Sequence, residues 1–282
     1  MKIQKNIIYS YIRTKLYLLD VLGSRYSGAY AFKLFCTPYT RYKGNGVDLF
    51  NKGEQLQFQL DSCKISGCRL NRNQSKKALL LHGFSSSYHK FSNYAEALVQ
   101  KGYEVLAFEA PAHGKSGGKR VNALDYSKMI KKIIELYGPI DTYIAHSFGG
   151  LAVCLALEEI AELQKDTKLV LIAPATETNT AIEGAFNILK LPQPKFKNAL
   201  RETILKKSGK PAEWYSVRRA LHHIQAQVIW VHDQDDKITP YRDAQKILED
   251  HLPYVHLITT QGLGHQKIYK DKNVQNRVME YL

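Results

Sequence analysis

From Leu56 to the carboxyl terminus, short apolar runs alternate with stretches of helical periodicity, and this alternation is the strongest constraint the chain places on its own fold. Leu56 to Leu60, Cys63 to Leu70, Ala78 to Leu81, Tyr103 to Phe108, Asp141 to Ala145, Lys168 to Ala173, Gln227 to His232 and Val255 to Thr259 have the length and composition of strands. Between them, helices are predicted over Tyr88 to Lys101, Asn122 to Tyr137, Phe148 to Leu163, Tyr241 to His251 and Gln266 to Tyr281. A strand–helix rhythm of this kind implies an α/β fold: a mostly parallel sheet of about eight strands with helices on both faces. The first two runs, separated by a tight polar turn, predict an opening hairpin.

One connection breaks the rhythm. About fifty residues, Thr176 to Ala226, separate two consecutive strands where a single crossover helix needs far fewer. Helix-like apolar groups punctuated by Pro192, Pro194 and Pro211 predict an inserted helical cap there. The expected organisation is an amino-terminal helical arm (1–53) packed on the core, a core domain (54–175 and 227–282) and the cap (176–226).

Charge is concentrated rather than spread. Forty Lys and Arg against 26 Asp and Glu give +14, of which the arm holds +7 and the cap +5. Such a surplus favours anionic surfaces or substrates without naming a partner. The four cysteines form no CxxC pair and no zinc-ligand spacing, so a reducing compartment is the plainer reading; a Cys63–Cys68 bridge would require the two to face each other across the hairpin. The run from Lys2 to Leu22 is interrupted by Arg13, Lys15 and Asp20, which makes it a poor signal peptide and too short and charged a segment to span a bilayer. A cytoplasmic location is expected.

Chemistry concentrates at the ends of three strands. Tyr143-Ile144-Ala145-His146-Ser147-Phe148-Gly149-Gly150 is a buried-type strand running into a small-residue turn and then a helix, the context that pushes a serine hydroxyl out at the carboxyl edge of a sheet. Small neighbours are needed two residues to either side because the turn brings backbone against backbone. Val231-His232-Asp233-Gln234-Asp235-Asp236-Lys237-Ile238-Thr239-Pro240 follows a later strand, and Gly262-Leu263-Gly264-His265 follows the last.

In these segments the chain resembles the α/β-hydrolase superfamily, in its serine hydrolase (esterase- and lipase-like) branch, from about Leu56 to the end. That family presents nucleophile, acid and histidine in this order, here separated by 89 and 29 residues. The resemblance implies Ser147 as nucleophile, Asp236 as the acid four residues before a proline, and His265 as general base. Asp235 is the fallback acid, Glu177 a rival after an earlier strand, and Asp233 is read as a loop-shaping residue. Ala145 stands where the family has its first glycine. The Leu81-His82-Gly83-Phe84 turn implies backbone amides of Phe84 and Phe148 as the oxyanion hole, with His82 and His146 structural. Phe108-Glu109-Ala110-Pro111-Ala112-His113-Gly114-Lys115-Ser116 is similar to the family's Asp-x-Pro-Gly-His-Gly-x-Ser loop, with Glu109 and Ala112 departing from it and His113 a loop anchor.

The expected activity is cleavage of a carboxylic ester through an acyl-enzyme, with a small-molecule ester or acyl substrate and no cofactor or metal. A thioesterase or peptidase would use the same groups, and a catalytically idle binding protein on the same scaffold is the reading of a different class. Phe186, Leu189, Leu191 and Trp214 in the cap are expected to line an acyl pocket. Residues 1 to 50 mix ten aromatic residues with basic ones, which allows weak association with an anionic membrane surface. The favoured reading is an extra helical layer in which Ile7, Ile8, Tyr11, Ile12, Leu18 and Leu19 pack on the core. No nucleic-acid partner is expected.

Overall fold

A computed structural model describes residues 2–42, 49–160 and 166–282. The chain divides into two compact units, one of residues 38–176 and 216–282 and one of residues 1–37 and 177–215.

The larger unit is built on one eight-stranded sheet. Its strands are β1 (Glu54–Leu60), β2 (Cys63–Leu70), β3 (Lys76–Leu81), β4 (Tyr103–Phe108), β5 (Thr142–His146), β6 (Lys168–Ile172), β7 (Gln227–Asp233) and β8 (Val255–Thr260), in the order β1-β2-β4-β3-β5-β6-β7-β8. β1 and β2 form the expected hairpin, closed after Leu60 by Asp61 with a φ of 51°. β2 also meets β4 antiparallel, and every pairing from β4 through β8 is parallel. β4 and β5 are buried at every residue, as parallel strands covered on both faces must be.

The eight strands lie where the sequence places them to within two residues, and the helices differ more. The predicted helix from Tyr88 becomes a 3-10 turn over Tyr88–Phe91 and then α3 (Ser92–Gln100). α4 (Ala123–Tyr137) starts on a capping box in which Asn122 and Asp125 each accept from the other's backbone amide. α5 (Phe148–Leu157) is buried from Gly149 to its end, and the expected positions 161–163 lie outside the described residues. α8 (Val217–Leu221) precedes β7, and α9 (Tyr241–Glu249) forms the helix predicted from Tyr241. The single helix predicted over Gln266 to Tyr281 is broken: α10 (Gly264–Lys267) and a 3-10 turn end at Asp271, whose carboxylate accepts from the amides of Asn273 and Val274 and caps α11 (Lys272–Glu280). Cys63 and Cys68 lie five residues apart along β2, about 16 Å at strand rise, so they do not face each other across the hairpin.

The smaller unit joins the amino-terminal helices α1 (Lys2–Val21) and α2 (Ser24–Phe35) to α6 (Thr178–Ile188) and α7 (Pro194–Ser208). α2 and α7 cross closely at Gly28, where a Cβ would lie 2.2 Å from the Ala199 carbonyl oxygen. Tyr17 packs edge-on against Phe196, and Lys195 binds Asp20 at 2.6 Å. The grouping differs from the division that the sequence predicts: residues 38–42, 49–53 and 216–226 belong with the sheet, and the arm's helices pack with the insertion. Of the arm residues expected to be buried, Ile7, Ile8, Tyr11 and Leu18 are exposed, and only Ile12 and Leu19 are half-buried. Among the described side chains of α1, the buried one is Leu16. Apolar residues occur all around α1, so periodicity could not choose the face. Phe186 and Leu191 are buried, and Leu189 and Trp214 half-buried, all four in this helical unit. Among the described residues, no helix is long and apolar enough to cross a membrane.

Candidate active site

β5 ends at His146, and Ser147 turns the chain into α5 with φ 53° and ψ −118°, a conformation that L residues avoid. The turn is over-determined by its surroundings. Ser147 N–H still donates to Ile172 O of β6 at 3.1 Å, and the carbonyl of Ser147 accepts from Gly150 and Ala175. Gly149 has no room for a side chain, since a Cβ there would lie 2.7 Å from Leu81 O and 2.8 Å from His82 O. Ala145, in contrast, sits fully buried in regular strand pairing with Leu81 and Leu171, which is why a methyl group is tolerated at that position.

The acid and the histidine arrive from neighbouring strand ends. Asp236 lies in the loop after β7 and His265 at the start of α10, after β8. Nε2 of His265 is 3.0 Å from Ser147 Oγ, and its Nδ1 is 2.8 Å from Asp236 Oδ2. Asp236 Oδ1 accepts from the amides of Ile238 and Thr239, while Oδ2 also accepts from the Thr239 hydroxyl at 2.8 Å. Burial pushes this carboxyl up, but the His265 bond and charge and the two amides outweigh it and hold Asp236 below the ordinary carboxylate value. Asp235 binds the amide of Gly262 instead, and Glu177 stands at the start of α6 in the helical unit.

Asp233 does more than shape its own loop. Its Oδ1 accepts from Asp235 N and Gly264 N, and its Oδ2 from Leu263 N and the Thr260 hydroxyl, tying the acid loop to the turn that carries His265. Behind Asp236, the ring of His232 is fixed in one tautomer: Nδ1 accepts from the Trp230 indole at 3.0 Å and Nε2–H donates to Thr239 O at 2.7 Å.

The turn after β3 closes over the serine. A Cβ on Gly83 would lie 3.0 Å from Ser147 Cβ, and the rings of Phe84 and Phe148 meet edge-on at 5.6 Å. Phe148 N–H is the first of α5 and has no acceptor within its helix by geometry. His82, fully buried, supports this turn from below: Nδ1 lies 2.8 Å from Gly83 O, and Nε2 faces both the Ala110 amide at 3.0 Å and Glu109 Oε2 at 3.1 Å. Glu109 Oε1 accepts from the Ser87 hydroxyl at 2.5 Å. Burial raises the Glu109 carboxyl, yet the His82 contact and Ser87 bring it below its ordinary value. His113 Nδ1–H donates to Pro111 O and Nε2 accepts from Ser85 N, the anchoring expected of it.

Two aromatic residues at the site carried no signal in the sequence. Tyr126 on α4, completely buried, donates its hydroxyl to His82 O at 3.1 Å. Tyr269 lies tilted with its centroid 4.4 Å from that of the His146 ring, which itself donates Nε2–H to His265 O at 3.1 Å. Both contacts arise between elements far apart in the chain, and no local spacing marks them.

Two of these histidines predict how the fold responds to acid. Burial, and then the nearby His265, lowers His146 to about 3; burial, and then His82, lowers His113 to about 4. Each is neutral when folded and free to protonate near pH 6.5 when unfolded. Their stabilisation is therefore complete above about pH 6.5 and is lost as the pH falls below it, at up to about 1.4 kcal/mol per group per unit. Urea unfolding is expected to show a loss of about 3–4 kcal/mol between about pH 7 and about pH 5. Equal midpoints at the two pH values would overturn the neutral assignment.

A parallel sheet whose central strand turns through a strained serine into a buried helix, with an acid and a histidine delivered by the last two strands, is the α/β-hydrolase arrangement. Residues 73–217 match the family model described as serine aminopeptidase, S33, and the chain belongs to that family. The match includes Ser147 and ends before Asp236 and His265. The chain is 27% identical over 116 residues to a Mycoplasma pneumoniae protein named "Putative esterase/lipase 2", a match covering 37% of this chain and 40% of that protein. It thus spans about two fifths of the curated relative's length. Among solved structures, the Pyrococcus furiosus esterase Pf2001 superposes with a TM-score of 0.66 at 22% identity, covering 87% of this chain and 98% of that one. Est1E from Butyrivibrio proteoclasticus, solved with ferulic acid, gives 0.63 at 19% identity over 80% and 97%. At these identities the likeness speaks for the fold alone.

Proposed function

We propose that the chain is a serine hydrolase that cleaves a carboxylic ester through an acyl-enzyme. The observation that carries this reading is the unbroken hydrogen-bonded line from Ser147 Oγ through His265 to Asp236 Oδ2, at 3.0 and 2.8 Å. Ser147 Oγ attacks the carbonyl carbon as its proton passes to His265 Nε2. The tetrahedral oxyanion is held by the amides of Phe84 and Phe148, and it collapses as the alkoxide leaves with the proton from Nε2. Water then enters, gives a proton to Nε2 and attacks the acyl carbon; the second collapse returns the proton to Ser147 and releases the acid. Asp236 keeps Nδ1 protonated, so Nε2 faces the serine as a base. The name of the Mycoplasma pneumoniae relative favours an ester over an amide.

The test is reaction of the purified protein with a fluorophosphonate, read by intact mass, alongside turnover of p-nitrophenyl esters of increasing chain length, an acyl thioester and an aminoacyl p-nitroanilide. One adduct per chain, with ester turnover fastest, is the expected result. Faster cleavage of the anilide would replace the ester reading with the aminopeptidase one that the family description carries. A folded protein giving neither adduct nor turnover would leave a binding protein on a hydrolase scaffold.

A further inference from the structure

One face of α1 is open to solvent. Ile7 and Leu18 are each 64% exposed, Tyr11 61% and Val21 86%, with Ile8 beside them and Leu22 just past the helix end. At 100° per residue, Val21, Ile7, Leu18, Tyr11 and Ile8 fall within an arc of about 140°. Leu16, on the opposite side, is fully buried. Five large apolar side chains on one face, interrupted by Thr14 and Lys15, exceed the scattered single exposures that a solvated surface normally carries.

The arm that carries the stripe has a net charge of one sign, with Lys15 at the stripe's edge. Residues 2–35 contain six basic side chains and one acidic one, and that one, Asp20, already accepts from Lys195 and Ser27. The Lys195 bond, together with Ser27, holds it below its ordinary carboxylate value despite burial. The arm therefore presents an apolar row in a cationic field without a free carboxylate on α1 or α2. A second copy of the chain would bring two such fields together and is disfavoured by repulsion. A bilayer surface carrying anionic headgroups supplies both the apolar bed and the opposite charge. No described helix is long and apolar enough to span, so α1 would lie in the plane of the interface.

We propose that α1 docks this protein on anionic lipid surfaces, with Ile7, Tyr11, Leu18 and Val21 entering the acyl boundary and the basic side chains of the arm meeting lipid phosphates. The inference does not depend on the catalytic reading, since it rests on the helical unit alone.

Co-sedimentation with vesicles of phosphatidylglycerol and phosphatidylcholine, against vesicles of phosphatidylcholine alone, tests it. The unaltered protein is expected to sediment with the anionic vesicles at low salt and to be released as salt is raised. The double variant Ile7→Glu, Leu18→Glu is expected to lose about tenfold or more in partitioning. Its circular dichroism and its turnover of a short water-soluble ester should match the parent, because both residues are exposed and remote in the chain from Ser147. Ser147→Ala should bind vesicles as the parent does, which separates this proposal from the ester reading. No sedimentation at low salt, equal binding to neutral vesicles, or unchanged binding by the double variant would each overturn the proposal. So would a dimer, seen without lipid, that the double variant abolishes, since the stripe would then belong to a second copy.

Discussion

Replacing Ser147 with alanine is expected to lower kcat for a p-nitrophenyl ester by about 10⁵–10⁶-fold and to abolish the fluorophosphonate adduct, with the fold intact. On the proposed mechanism the size of the effect comes from the covalent step: without Oγ no acyl-enzyme would form, and the residual rate would come only from binding and the oxyanion amides. Alanine inherits the same strained backbone, φ 53°, that serine occupies, so the substitution neither relieves nor adds turn strain. The hydroxyl is only partly buried, and alanine gives up its bond to His265 without leaving a deeply buried group unpaired. The variant's thermal midpoint should therefore stay within a few degrees of the parent's, measured by circular dichroism in parallel with kcat. Loss of less than about tenfold would show that the turnover measured does not pass through Ser147.

The parts of this site that are legible in the chain are those encoded locally at strand ends. A fully buried parallel strand is a continuous apolar run, so β4, β5, β6 and β7 are plain in the sequence, and each of them ends in a short loop of distinctive composition. Ser147 and Asp236 sit in such strand-end segments, and His265 follows the partly exposed edge strand β8. Gly149 is legible for a steric reason: the carbonyls of Leu81 and His82 occupy the space a side chain would need. The features that escape the sequence depend on contacts between distant segments. The hydroxyl of Tyr126 under His82, the Tyr269 ring against His146 and the three bonds by which Asp233 reaches Thr260, Leu263 and Gly264 have no local spacing to betray them. The arm escapes for a different reason. Its apolar residues surround α1, and the seam chosen by tertiary packing runs through Leu16, with Ile12 and Leu19 at its margin, rather than through Ile7 and Leu18. Asp271 is a signal that periodicity alone passes over, since an aspartate before a helical pattern is a cap and marks the break between α10 and α11.

Asp236→Asn is expected to cost about 10⁴-fold in kcat while leaving the fold in place, because it changes a proton's position rather than a shape. In the parent, Oδ2 accepts from His265 Nδ1, so the proton on that ring resides on the side away from Ser147 and Nε2 is free to take the serine's proton. Asparagine keeps one oxygen, and the amides of Ile238 and Thr239, which both bind Oδ1, will claim it. Its NH₂ group then faces His265 and donates to Nδ1. The ring responds by carrying its proton on Nε2, where it points at Ser147 and cannot act as a base. The Thr239 hydroxyl loses its acceptor on Oδ2 and turns to the Ala173 carbonyl, already 3.3 Å away, so no buried donor is orphaned and stability changes little. Asp235→Asn separates this from a general loss of acid in the loop. Its Oδ2 accepts from the Gly262 amide, a role that an asparagine oxygen can fill, and the variant should retain kcat within about threefold. Steady-state kinetics of the two variants beside each other decide the matter: equal losses would mean that the loop as a whole, and not the carboxylate on His265, carries the effect.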